Sequence, residues 1–256
     1  MEFLFLGTGT STGVPLIGCD CRVCRSNDPR DQRLRCAAVV RSGETTVLID
    51  APPDLRTQVL RAGLRRIDAV LFTHAHTDHI MGFDDLRRFT DRDGNLPIHA
   101  DAPTLARLRQ AFDYAFDPER KFPGYLHAIP HILTGAVSIG PLTFDPMPVP
   151  HGRFTTNGFL IQENGHPKLA YLPDCSEVPS AFVLKLQRIP ILVIDGLRDR
   201  PHPSHLSVPQ ALTIAAEVEA GHTYLTHIAH DFLHAEREPK LPPNVRLAYD
   251  ELCLTV

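Results

Sequence analysis

Apolar positions along the chain follow two rhythms, one of short unbroken runs and one of stripes spaced three and four residues apart. The short runs occupy residues 2–6, 46–50, 69–73, 142–146, 158–162, 168–172, 191–195 and 223–226. Their length and composition predict strands, and most end on Gly, Asp, His or Thr. The stripes occupy residues 54–62, 103–112, 178–186 and 208–220 and predict helices. The last is the best marked. Ser207 and Gln210 form a capping-box pair, Val208, Ala211, Leu212 and Ala215 supply one apolar face, and Gly221 closes the segment.

Strands and helices mixed in this way, without a linker or an internal repeat, predict sheets covered by helices in one layered α/β domain over residues 1–256. Residues 113–140 break the pattern. They are rich in proline and aromatic residues, among them Tyr114, Phe116, Phe122 and Tyr125. A loop of that length is a candidate lid over a site, with an ordinary surface excursion as the alternative.

Composition narrows the partners. A formal net charge of −4 with scattered Lys and Arg argues against long nucleic acid and favours a small substrate. No stretch approaches the roughly 20 apolar residues of a membrane span, so no membrane partner and a cytoplasmic location are expected. Cys19, Cys21 and Cys24 crowd into one turn, which suits a metal clip better than a disulfide framework. Cys36, Cys175 and Cys253 are expected to be packed thiols.

The chemistry is concentrated in His74-Ala75-His76-Thr77-Asp78-His79, directly after the apolar run at 69–73. A lone histidine is more often a solvated side chain than a ligand, but three imidazoles and a carboxylate within six residues reverse that expectation. His74 and His76 can converge on one cation while Asp78 and His79 serve a second. Later strand ends offer His151, Asp174 and His227. With Asp174 bridging, one shell is His74, His76, His151 and Asp174, and the other is Asp78, His79, His227 and Asp174. Mixed imidazole and carboxylate ligation suits Zn, Mn or Fe. Arg198, after the run ending at Asp195, is a candidate phosphate contact, with a solvated charge as the alternative.

An HxHxDH run after a strand, followed by single His, Asp and His residues at later strand ends, resembles the metallo-β-lactamase superfamily. The resemblance spans the chain and implies a four-layer αββα sandwich with two catalytic divalent metals, Zn or Mn, at the edge between two sheets. Asp50 matches the family's acidic residue beneath the metal loop, an orienter of metal ligands. The glycine that the family places soon afterwards is replaced here by Ala51-Pro52-Pro53. Cys19, Cys21 and Cys24 together with His230 look like the Cys3His structural zinc site of the phosphoribosyl cyclic phosphodiesterase (PhnP-like) family. That family also implies a catalytic role for His205, which lies ahead of the helix predicted at 208–220.

The expected activity is hydrolysis of a small phosphodiester, cyclic or nucleotide-derived, by a hydroxide bridging the two metals. Asp78 and Asp174 would orient the hydroxide and His205 would protonate the leaving alkoxide. One alternative is processing of transfer RNA 3′ ends, which shares the metal motif. Another is a non-hydrolytic metal-binding protein like PqqB, whose family has a degraded motif where HAHTDH is intact here. Thioester or β-lactam hydrolysis ranks below these. The residues leave open whether the chain forms a homodimer.

Overall fold

The computed structural model describes residues 1–91, 94–117, 119 and 124–256. Two seven-stranded sheets form the centre of the molecule. The first has the order β14-β1-β2-β3-β4-β5-β6, with β1 at Glu2–Gly7, β2 at Ala37–Ser42, β3 at Thr45–Ile49, β4 at Ala69–Leu71, β5 at Asn95–Ala100, β6 at His127–Ile132 and β14 at Cys253–Thr255. The second has the order β13-β12-β11-β10-β9-β8-β7. Its strands are β7 at Val137–Ile139, β8 at Leu142–His151, β9 at Phe154–Glu163, β10 at His166–Leu172, β11 at Ile191–Asp195, β12 at His222–Thr226 and β13 at Val245–Leu247.

Side chains alternate across each strand, and here both faces are buried, which is why the central strands look like unbroken apolar runs. Phe3, Phe5, Val40, Val47, Ile49 and Leu71 of the first sheet meet Phe144, Phe159, Tyr171 and Val193 of the second in one core between the sheets. The opposite faces pack on helices. Leu4, Val39, Leu48 and Val70 join α1 (Leu55–Arg61) and α3 (Ala102–Ala111), through Leu55, Leu105 and Leu108. Leu160, Leu172 and Ile194 join α4 (Ser180–Lys185) and α5 (Val208–Val218), through Val183, Val208 and Ala211. The result is the αββα layering. Burying each of these large apolar side chains contributes roughly 1.5–3 kcal/mol.

The capping box of Ser207 and Gln210 is formed, and α5 closes on Glu219 in the left-handed region, φ 53°. The helix therefore ends short of the expected residue 220. Residues 113–140 are not one loop: they contain β6 and β7, edge strands of the two sheets. Phe122, which contributed to the lid expectation, lies outside the described residues. Cys36 and Cys175 are buried as expected, whereas Cys253 is exposed, because β14 is an edge strand with one face to solvent. Among the described residues no helix is long and apolar enough to cross a membrane.

Strand direction is what places the chemistry. β3 and β4 run parallel, as do β10, β11 and β12, and β8 runs with β10 because both are antiparallel to β9. Asp50, the 72–79 segment, His151, Asp174, Asp195 and His227 each follow or close the C-terminal end of one of these strands. All of them reach one rim of the sandwich.

Candidate metal centres

His76 caps α2 (Thr77–Ile80), a single turn that turns Asp78 and His79 inward. His74 Nε2 and His76 Nδ1 approach to 2.8 Å, and the ligand atoms of His74, His76 and His151 all lie within 4.8 Å of one another. Asp78, His79 and His227 make a second such group. Asp174 joins the two. Its Oδ2 is 3.3 Å from His79 Nε2 and its Oδ1 is 3.0 Å from His227 Nε2, while Asp78 Oδ2 lies 3.3 Å from His79 Nε2. A further group unites His74, His79 and Asp174.

Three of the closely spaced atoms make no hydrogen bond of good geometry. His79 Nε2, His227 Nε2 and Asp174 Oδ2 are buried without a hydrogen-bond partner, which is costly unless something else satisfies them. Atoms bound to one cation at about 2.0–2.1 Å in tetrahedral geometry would stand about 3.3 Å apart, close to the spacing seen. Electrostatics agree. Burial pushes the imidazoles of His79 and His227 down, but Asp174, with Asp78 and, for His79, Asp50, outweighs it and holds both well above the usual range. The carboxylates thus demand positive charge in a dry site. Divalent cations fit that demand.

The ligands are themselves held. Asp50 Oδ2 accepts from His79 Nδ1 at 2.7 Å, and its carboxylate accepts from the backbone N–H and hydroxyl of Thr73, both at 2.8 Å. Thr73 Oγ1 also lies 3.0 Å from His74 Nδ1. His151 Nδ1 donates to the Ser204 carbonyl at 2.6 Å, leaving Nε2 for the centre. Asp50 and His227 adopt left-handed backbone, φ 66° and 57°, a conformation that costs a non-glycine residue about 1–2 kcal/mol. Such strain collects where function fixes a side chain.

His205 packs against His151 and His227, with ring centroids 4.7 and 4.5 Å away. Its Nδ1 is 2.7 Å from Asp195 Oδ2. Burial lowers His205 to about 4 and raises the Asp195 carboxyl well above the usual range. A cavity of about 680 Å³ opens beside the cluster, lined by His74, His76 and Asp78, by Arg107 of α3, and by Arg153 and Phe154 at the β8–β9 turn.

The second centre is built differently. Cys19, Cys21 and Cys24 come from the long β1–β2 connection and place their Sγ atoms 3.4, 3.4 and 3.5 Å from His230 Nδ1. Zinc–sulfur and zinc–nitrogen bonds of about 2.3 and 2.0–2.1 Å would separate such ligands by about 3.6 Å. The Cys24 N–H and His230 lower the Cys21 thiol to about 6, whereas burial raises Cys24 to about 11. Four protein ligands would close a metal site here.

The Arg198 guanidinium donates to the carbonyls of Arg200 and Pro201 at 3.4 Å, in the same connection as His202, whose ring stands 5.1 Å from that of His205. Sequence reasoning passed over Asp195, Thr73, Arg107, Arg153 and Phe154. For Asp195 a signal existed: like Asp50, it stands at the end of a buried strand.

Paired helix-covered sheets with a His/Asp cluster on their rim define the class, a metallo-hydrolase sandwich. The chain belongs to the β-lactamase superfamily, whose domain model matches residues 45–228. A crystal structure described as a new diphosphatase from the PhnP family is similar at a TM-score of 0.91 and 39% identity, covering 99% of this chain and 96% of that one. A Porphyromonas gingivalis protein named octanoyltransferase is 36% identical over 98% of this chain, which spans only 51% of that relative. Zn(2+)-bound PqqB from Methylobacterium extorquens shares the fold, with a TM-score of 0.80 at 20% identity and full coverage of both chains.

Proposed function

We propose that the chain is a metal-dependent hydrolase that cleaves a small phosphodiester, with His74, His76, His151 and Asp174 holding one divalent cation and Asp78, His79, His227 and Asp174 a second. The observation that carries this reading is the set of buried His and Asp atoms left without hydrogen bonds beside an open cavity. Bound there, Zn or Mn would supply Lewis acidity to a phosphoryl oxygen and make water nucleophilic near neutral pH. Cys19, Cys21, Cys24 and His230 would hold a structural zinc.

The chain's own groups do the rest. Asp50 fixes the His79 ring and Ser204 fixes His151, so the ligand atoms are set before substrate arrives. His205 is the proton donor. The Asp195 carboxyl, which burial biases toward its protonated form, lies 2.7 Å from His205 Nδ1; in that form it donates there and leaves the ring proton on Nε2. Nε2–H passes to the leaving oxygen as Nδ1 takes the proton of Asp195. Each ring nitrogen exchanges one proton, so the imidazole ends neutral.

The diphosphatase named above favours a second scissile group, the phosphoric anhydride of a diphosphate. Its likeness extends over nearly the whole chain. The acyl-transfer activity in the name of the Porphyromonas relative has no such support, since half of that protein lies outside the match.

A screen of linear, cyclic and diphosphate esters after reconstitution with Zn or Mn tests the proposal. Turnover of at least one phosphoester, abolished by chelation and restored by metal, is expected. Tight metal binding with no turnover of any of them overturns it.

A further inference from the structure

The cavity beside the cluster extends well beyond what the ligand residues need. At about 680 Å³ it falls within the roughly 300–1,000 Å³ of sites that enclose a whole small molecule. Its far wall is made of groups that the proposed hydrolysis does not use. Phe154 is 64% exposed although it is a large apolar side chain, and it is held upright by an edge-on contact with His76, centroids 5.4 Å apart. Most of the ring surface is therefore open to the cavity. Arg107 and Arg153 line the same space. Arg107 bonds only the neutral Gln110 side chain, at 2.7 Å, and neither arginine has an ion pair among the described residues. The one wall carboxylate besides Asp78 is Asp101, whose Oδ1 accepts from the Thr104 N–H at 2.8 Å and whose Oδ2 is 3.4 Å from Asn157 Nδ2. It is engaged in capping α3 rather than in neutralising the arginines.

Two guanidinium groups without an ion pair among the described residues, beside a largely exposed aromatic ring, suit anionic oxygens and a planar ring in one molecule. We infer that the cavity takes a nucleoside diphosphate ester, its base stacked on Phe154 and its non-scissile phosphate held by Arg107 and Arg153 while the scissile phosphoryl group faces His74, His76 and Asp78. The inference rests on the hydrolytic reading for the position of the scissile group, but the recognition of base and second phosphate stands apart from turnover.

Calorimetric titration of the metal-loaded protein separates the two. Adenosine 5′-(α,β-methylene)diphosphate, which cannot be cleaved at its bridge, is compared with AMP and with methylenebisphosphonate. It should bind more tightly than either. Phe154→Ala should weaken it by about 5- to 150-fold, the range expected for one base stacked on an aromatic ring, and leave methylenebisphosphonate binding as before. Arg107→Met with Arg153→Met should bring its affinity close to that of AMP. All three side chains lie on the cavity surface, and an unchanged melting temperature confirms that the variants are folded. Equal affinity for the three ligands, or unaltered binding in both variants, overturns the inference. The full hierarchy without turnover of any phosphoester supports the ligand class and defeats the hydrolytic reading instead.

Discussion

Both clusters bring metal-type ligand atoms within 4.8 Å of one another, the cysteine clip as one group of four and the His/Asp cluster as several overlapping groups of three, yet they depend on the rest of the molecule in opposite ways. The His/Asp cluster stands on strand ends from both sheets, and its carboxylates and most of its imidazoles are buried. The core between the sheets sets its geometry. The cysteine clip stands on one long connection and on His230, backed by a small apolar cluster of Val14, Val23 and Cys24 with Leu16 and Leu233. Ile17, inside that connection, is 94% exposed. A site carried by a sandwich can keep its shape and leave room for a substrate. A site carried by a loop requires the metal to hold the loop together. Variants in the first should therefore alter turnover and barely alter stability, and those in the second should do the reverse.

The largest effect on turnover is expected for Asp174→Asn. This carboxylate approaches His79 and His227 of one subsite and groups with His74 and His151 of the other, so removing its charge should empty both subsites and leave activity at the background level. Elemental analysis should give about two fewer metals per chain than the wild type, with the clip zinc retained. Full metal content together with full activity would break the two-subsite assignment.

Next in size is His205→Ala. General acids contribute about 10²–10⁴ in rate, so an alkyl or sugar diester should lose that much. Bis(p-nitrophenyl) phosphate, whose leaving group departs without a proton, should lose far less, and metal content should stay at the wild-type level. Equal losses on both substrates, or loss of metal, would make His205 a ligand or a packing residue.

The rim was legible because its signals are local. HAHTDH is contiguous, and His151, Asp174 and His227 each end a recognisable apolar run. Four of the strands that were passed over have physical reasons for it. β5 and β6 each carry a proline, Pro97 and Pro130, a residue that usually argues against a strand. β13 and β14 have only three residues each. The cavity wall was illegible for another reason. Arg107 and Phe154 lie 47 positions apart by number and come to one cavity only through the placement of α3 beside the β8–β9 turn.

A smaller effect is expected from Asp50→Asn, since Asp50 touches His79 rather than substrate. Loss of an orienting partner of this kind typically costs about 10–100-fold in metal affinity or activity. The signature is that excess metal should restore much of the turnover, which it cannot do for Asp174→Asn. A variant that excess metal does not rescue would show that Asp50 acts on the fold at large.

The smallest effect on turnover and the clearest effect on stability should come from Cys21→Ser. Cys21 Sγ lies 3.4 Å from His230 Nδ1 and also accepts from the Cys24 N–H at 3.4 Å, so the thiol belongs both to the metal set and to the turn that presents it. Serine keeps the size but offers a poor ligand for zinc. The clip should lose its tightly held metal, and the free energy of binding that metal is lost from folding. In a chain of this size each kcal/mol lowers the melting temperature by roughly 2–4 °C, so a fall of several degrees is expected. Turnover per folded molecule should stay within about twofold of the wild type, because the His/Asp cluster is positioned by sheets that the clip does not build. Calorimetry, zinc analysis and turnover on the same preparation test all three parts. An unchanged melting temperature with full zinc content would refute the clip as a metal site. A fall in turnover matching that of Asp174→Asn would show that the two clusters are one functional unit.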